Sequence, residues 1–148
     1  MTGPRESSQR KVDALEKLSS DYDIWVATAD RDGKACLVPL SFAWVDERII
    51  LVTARQNRTA RNIAATGTAH LALGPTRDVI SLEGTAELIG SDELADEDAD
   101  CYAAQAGWDP RPDDSMVWIV FRPSRIQAWR EVDELEERTI MEDGRWLV

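Results

Sequence analysis

"DIWVATADRDGKACLVPLSFAWVDERIILVT", residues 23–53, decides the fold. "DIWVATA" is rich in β-branched and aromatic residues, and Asp32-Gly33 supplies a bend after it. "KACLVPLSFAWV" resumes in the same composition, and after a short turn at Asp46 to Arg48 "IILVT" gives a third extended run. Connections this short cannot carry a parallel crossover, so the three runs read as an antiparallel meander. Pro39 has no N–H to give to a ladder, which places its strand at an edge or at a bulge.

Outward from the meander, Asn57 is a good helix N-cap and Gly67 a plausible left-handed stop, so a short helix fills residues 58–66. Strands follow in "TAHLAL" (68–73) and, past the turn-rich "GPTRD", in "VISLEGTAELI" (79–89). Residues 7–20, "SSQRKVDALEKLSS", start with a serine cap and space Val12, Leu15 and Leu18 as an amphipathic helix does. A second capped helix, with acids in its first turn, is expected over residues 91–106 from Ser91 onward. "GWDPRPDD" is a loop, "MVWIVF" and "RIQAW" are two further strands, and "RTIMEDGRWLV" is a hairpin or tail closed at Asp143-Gly144. About six strands with three short helices give a mainly β protein, a small antiparallel barrel. Side chains fill such a barrel, so a sizeable ligand must sit outside it or between subunits.

The 148 residues suit one domain, 1–148, with residues 1–6 expected to be flexible and 131–148 a C-terminal extension. Apolar runs fall far short of a membrane span, and the N-terminus lacks the apolar segment of a signal peptide. Cys36 and Cys101 form no metal-type motif and a single histidine, His70, is present, so no metal site is expected. Reduced thiols and the missing leader point to the cytoplasm. A net charge of -11 speaks against a nucleic-acid partner, which needs a broad basic face.

Against that acidity, "LVTARQNRTARNIAATGTAHLAL" (51–73) carries Arg55, Arg58 and Arg61 and no acid. A helix start exposes free N–H groups and the positive end of a dipole. Arg55 and Arg58, with the hydroxyls of Thr53 and Thr59, would turn it into a phosphate cradle. The other reading has these arginines pair with the acidic stretch Asp92 to Asp100, as ordinary surface ion pairs.

The order "GKACLVPLSFAWVDERIILVT", "RTARNIAATGTAHLAL", "ISLEGTAELI" and "VWIVFRPSRIQAW" resembles the split-barrel flavin-binding superfamily of pyridoxamine-phosphate-oxidase-like proteins and actinobacterial deazaflavin-dependent reductases. The resemblance runs from residue 8 to about 130. It implies a six-stranded antiparallel split β-barrel forming a homodimer, with FMN or the deazaflavin coenzyme F-420 in clefts between subunits. Pro39, Leu40 and Ser41, up to Phe42, and Leu51 to Thr53, including Val52, would line the tricyclic ring. The phosphate would meet Thr53, Arg58, Thr59 and Asn62, and Arg55 and Trp129 complete the implied cofactor-binding set. Many relatives have a lysine where this chain has Thr59, which leaves open whether Arg55, Arg58 or Arg61 replaces that charge. Residues 81–112 are similar to the deazaflavin-using branch, whereas the tail "EDGRWLV" lacks the arginine-rich substrate motif of true vitamin B6 oxidases.

Trp25, Trp44, Trp118 and Trp129 are expected in the core or at the dimer interface, while Trp108, in its proline-flanked loop, either covers a bound ring or staples the loop. His70 reads as packed or hydrogen-bonded, Cys101 and Tyr102 as structural, and no nucleophile is paired with a base. The expected function is hydride transfer by a flavin-type cofactor to or from a small conjugated organic substrate, with no side chain as dedicated acid or base. The alternative is a non-catalytic cofactor-binding or storage protein of the same fold.

Overall fold

The computed structural model describes residues 3–148. Its elements are α1 (Ser7–Ser20), β1 (Asp23–Ala29), β2 (Ala35–Val45), β3 (Arg48–Ala54), α2 (Arg58–Thr66), β4 (Thr68–Leu73), β5 (Val79–Gly90), α3 (Asp96–Ala106), β6 (Met116–Trp129), β7 (Thr139–Glu142) and β8 (Arg145–Trp146). The sheet order β3-β2-β1-β4-β5-β6 closes on itself through a β3–β6 pairing, which makes a six-stranded antiparallel barrel. The β7–β8 hairpin is added beyond β6. Its turn, Asp143-Gly144, has positive φ at both residues (52° and 74°), as a two-residue hairpin demands.

Both strand prolines sit where one side of their strand is unpaired. β2 pairs with β1 along 35–41 but with β3 only from Phe42 on, so Pro39 faces no second ladder. Residues 116–129, expected as two strands, form one. β6 leaves β3 at Phe121 and meets β7 at Ile126, and Pro123 falls in the gap. Opposite it, β5 bulges between Glu83 and Gly84. A Cβ on Gly84 would stand 2.1 Å from the Arg122 carbonyl oxygen, so only glycine admits this approach.

Two apolar clusters follow from the period-two alternation of the strands. One fills the barrel, with Phe42, Leu51, Leu71, Leu82, Ile119 and Phe121 among its members. The other lies on the outside of β2, β3 and β6, where α3 lays Ala99 and Tyr102 over Ala43, Ile50, Val52 and Trp118. The outer face of β1, β4 and the first half of β2 has no such cover, and Trp25 and Leu37 are 50% and 62% exposed there.

Both serine caps expected from the sequence are absent. Helix α1 is entered from an extended Glu6, and Arg5 before it is pinned by its backbone N–H and guanidinium to Glu134. Helix α3 starts at Asp96, not Ser91, because a turn from Gly90 to Glu93 intervenes and the Ser91 carbonyl is taken by the Trp118 indole N–H. Asp96, Glu97 and Asp98 complement its dipole instead. The expected looseness of the N-terminus lies outside the described residues for positions 1 and 2. The extension 131–148 is tied to α1 by the buried Arg10, whose guanidinium donates to the carbonyls of Glu134 and Glu136.

Candidate functional site

The site begins where β3 ends. After Ala54 the chain turns through Arg55 and Gln56, and Asn57, in extended backbone, caps α2 by accepting the Ala60 N–H at 3.1 Å. Its amide also donates to the Thr53 hydroxyl, so one side chain ties the strand end to the helix start. Gly67, at φ 70°, ends the helix in the left-handed region. No acid stands in the first turn of α2. The buried Asn62 donates to Thr28 at 3.1 Å and locks the helix against β1.

The cations around this helix have no carboxylate partners. Arg58 donates to the Ala35 carbonyl at 3.3 Å and Arg55 to the carbonyls of Asp114 and Met116. Arg31 donates to the Ala65 carbonyl. Among the described residues, Arg31, Lys34, Arg55, Arg58 and Arg61 enter no ion pair, nor do the scattered Arg10, Lys11, Arg138 and Arg145, whereas Arg5, Lys17, Arg48, Arg77, Arg111, Arg122, Arg125 and Arg130 do. The surface-pair reading therefore fails: Asp98 is taken by Arg48, and Asp96 and Asp100 by Arg111. Arg58 and Arg61 instead line an open cleft of about 410 Å³ with Lys34, Asn62, Ala65 and a single acid, Asp30. The Asp30 carboxylate is already engaged by the backbone N–H groups of Asp32 and Lys34.

Thr53 at the end of β3 and Arg58, Thr59 and Asn62 on α2 turn to four different partners: Asn57, the Ala35 carbonyl, Cys36 and Thr28. Arg58 is exposed, while Thr53, Thr59 and Asn62 are 4%, 2% and 6% exposed. Thr59 points inward to Cys36 with its hydroxyl 4.0 Å from the sulfur. Arg55 stands to one side, against the loop before β6. Pro39 and Ser41 lie on the outer face of β2, Ser41 bonded to Asp23, whereas Leu40 turns to the barrel core. Val52 is packed beneath α3. Trp129 lies away from this group, paired with Val79 near the far ends of the strands and stacked under Arg138 at 5.6 Å.

Thr28, Lys34, Arg31 and the Asn57–Thr53 bond belong to the site and were not singled out from the sequence. The β1–β2 hairpin carries Arg31 and Lys34 to α2, a juxtaposition that no local pattern announces. On the bare outer face beside the site, an open groove of about 590 Å³ runs over small residues, Ala27, Ala35, Ala69 and Gly84, bordered by His70 and Glu83. His70 is exposed and shares a 2.7 Å hydrogen bond with Ser81. Trp108 is the staple rather than a free cover: its ring meets the edge of Tyr102 at 6.3 Å, and Tyr102 meets Trp118 at 5.2 Å. Burial pushes the Tyr102 phenol up to about 12, with Trp108 opposing, and its hydroxyl has no hydrogen-bond partner.

The surroundings of α2 fit an anionic group: free helix N–H groups, guanidinium groups in no ion pair, and one nearby carboxylate, Asp30, already engaged by backbone N–H groups. Comparison with known proteins agrees in fold. The family model described as pyridoxamine 5'-phosphate oxidase matches residues 13–130. Among solved structures, an F-420 reductase superposes with a TM-score of 0.61 at 19% identity, over 75% of this chain and 93% of that one. A conserved hypothetical protein of Mycobacterium tuberculosis gives 0.68 at 16% identity, over 83% and 86%. HutZ, the heme storage protein from Vibrio cholerae, gives 0.63 at 11% identity, over 80% and 94%. No curated protein matches the chain in sequence.

Proposed function

The chain belongs to the pyridoxamine 5'-phosphate oxidase family, and from that premise we propose that it binds a flavin-type cofactor at the start of α2 and acts as an oxidoreductase on a small conjugated organic molecule. The observation that carries this reading is the set of carboxylate-free cations around α2 in a protein of net charge -11. In an acidic chain whose other exposed arginines are largely neutralised, such a set is maintained against the average composition, and an anion is what it suits.

Between FMN and the deazaflavin coenzyme F-420, the extent of the positive surface favours the second. One terminal phosphate is served by Thr53, Arg58 and the first N–H groups of α2. Arg61, Lys34 and Arg31 continue the cationic surface along the helix, which suits a coenzyme whose phosphodiester bears an acidic tail. When bound, the cofactor supplies hydride chemistry. The residues of this chain supply the rest: Arg58 and Thr53 hold the anionic end, and the outer face of β2 at Pro39 and Ser41 offers a platform for the ring. No side chain here is placed as a dedicated acid or base.

A second copy would cover the outer face carrying Trp25 and Leu37 and shelter the ring from water. A homodimer thus belongs to the proposal. A second reading, supported by the likeness in fold to a heme storage protein, is a non-catalytic protein that stores such a cofactor. The test is titration of the protein with FMN and with coenzyme F-420, repeated on Arg58→Glu, followed by turnover of the loaded protein over a panel of conjugated acceptors. Binding lost on charge reversal, with turnover, supports the enzyme; binding without turnover supports storage. Equal affinity in the variant removes the anion site.

A further inference from the structure

We infer that the groove on the bare outer face seats the organic substrate and that His70 selects it, favouring a neutral flat ring edged by a hydroxyl or carbonyl oxygen. This rests on the reading of the chain as a cofactor-dependent oxidoreductase and names its substrate class. Strand register lays out the face. Pro39, Trp25, Ala72 and Ser81 stand side by side in one row across β2, β1, β4 and β5, and Leu37, Ala27, His70 and Glu83 in the next. Ala35 and Ala29 pair in a third row. Positions 27, 29 and 35 thus carry only a methyl group, and these alanines line the groove of about 590 Å³. Larger side chains bound it, the exposed Trp25 and Leu37 towards β2, His70 and Glu83 towards β5. A floor of methyl groups suits a planar ring, and the volume is that of a small-molecule site. The groove lies one to two strand spacings, about 5 to 10 Å, from the β2 platform proposed for the cofactor ring. The second copy proposed for this face would roof it and exclude water.

His70 supplies the polar contact. Its Nε2 shares a 2.7 Å hydrogen bond with Ser81, which fixes the imidazole, and Nδ1 has no hydrogen-bond partner among the described residues. A ring hydroxyl satisfies Nδ1 in either tautomer, and a carbonyl satisfies the form protonated there. Glu83, directly across from His70, pairs with Arg125, which also meets Glu142, so two carboxylates share one guanidinium at this border. The negative charge left over disfavours a ring that carries a carboxylate.

The experiment titrates the untagged protein with naphthalene, 2-naphthol and 2-naphthoate and follows the imidazole by NMR, where the single histidine of the chain gives an unambiguous signal. 2-Naphthol should bind saturably and shift the imidazole resonances. Naphthalene should bind roughly three- to ten-fold more weakly, the worth of one neutral hydrogen bond, and 2-naphthoate should also bind more weakly than 2-naphthol. His70→Leu should bind naphthalene and 2-naphthol alike, and Ala27→Leu, which fills the floor, should weaken both; thermal unfolding confirms that each variant is folded. Imidazole resonances unmoved by 2-naphthol, or a preference for the hydroxyl that survives in His70→Leu, would overturn the inference. On protein loaded with FMN or coenzyme F-420, 2-naphthol should inhibit acceptor turnover competitively, and three- to ten-fold more weakly in His70→Leu at unchanged cofactor affinity. Inhibition that is not competitive would remove the groove as the substrate's seat. Wild type that binds neither cofactor while 2-naphthol follows the expected pattern would sink the oxidoreductase reading, and the substrate role with it, with the ligand site at His70 left standing.

Discussion

The Arg58 guanidinium donates to the Ala35 carbonyl at 3.3 Å, so the first residue of α2 is fixed to the first residue of β2. This bond sets the axis of the site. From Ala35 the strand leads along its outer face to Leu37 and Pro39, roughly 13 Å on, and the same face carries the half-exposed Trp25 beside Pro39. The proposed cofactor, with its anionic end at Arg58 and its ring over Pro39, would thus be held by one strand and one helix start. The rigid barrel, not a loop, holds both.

Charge placed on the bare outer face should prevent dimerisation. Trp25→Glu and Leu37→Glu put a carboxylate where a second copy would have to desolvate it. Each is expected to weaken the dimer by roughly 2 to 4 kcal/mol while leaving the monomer's fold intact, since both side chains are exposed in the single chain. Analytical ultracentrifugation over a range of concentrations reads the outcome, and a wild-type protein that stays monomeric at high concentration would refute the face as an interface.

Acid should release the C-terminal extension. Hydrogen bonds from the Arg5 guanidinium hold the Glu134 carboxyl at about 2, below its ordinary 4.5. A lowered pKa stabilises the fold above the unfolded value, and that contribution is lost as pH falls from about 4.5 towards 2. Glu134→Gln leaves the largely buried Arg5 without this partner and should cost roughly 2 to 4 kcal/mol at neutral pH. Denaturant titrations at several pH values should show wild type losing stability over that acid range and the variant losing less.

Tyr102→Phe should be neutral or stabilising. The Tyr102 hydroxyl is buried between Trp108 and Trp118 with no partner, so removing it discards a desolvated polar group and keeps the packing. A gain between zero and about 1 kcal/mol is expected at pH 7. The alkaline limb gives a second check. A phenol raised by burial favours the folded state below the unfolded pKa, and that advantage is lost as pH climbs from about 10 to 12. The variant should lack this loss, and calorimetry of both proteins across that range reads it.

How much of this was visible in the sequence depends on the range of each interaction. Asn57 and Gly67 announce a helix because a cap is decided by neighbours within a turn, and both act as expected. The meander over residues 23–53 is legible because its turns are short. Ser91 misleads because a tertiary bond to Trp118 and a turn to Glu93 intervene before the helix. "MVWIVF" and "RIQAW" read as two strands although they are one, since only the change of partner from β3 to β7 around Pro123 explains why its missing donor is harmless. Within the site, the arginines of α2 are visible as a local run. The Asn62–Thr28 bond spans 34 positions, and the approach of Lys34 and Arg31 depends on how a hairpin folds back.

Cations beyond Arg58 should discriminate between coenzymes. Arg61 and Lys34 line the cleft that continues from Arg58 along α2, and neither pairs with a carboxylate among the described residues. If the acidic tail of coenzyme F-420 follows this cleft, Arg61→Glu and Lys34→Glu should weaken it by roughly ten-fold or more each, through loss of one attraction and gain of one repulsion. FMN, which ends at the phosphate, should lose no more than about three-fold, the effect of a charge beyond direct reach in water. Salt sharpens the comparison, because screening at 0.5 M acts more strongly on an exposed tail than on a phosphate held at the helix start. Affinities for both coenzymes at two ionic strengths, in wild type and the two variants, decide the matter. Equal losses for both coenzymes would show that the cleft is only an electrostatic surround of one phosphate, and the preference for the tailed coenzyme would fall.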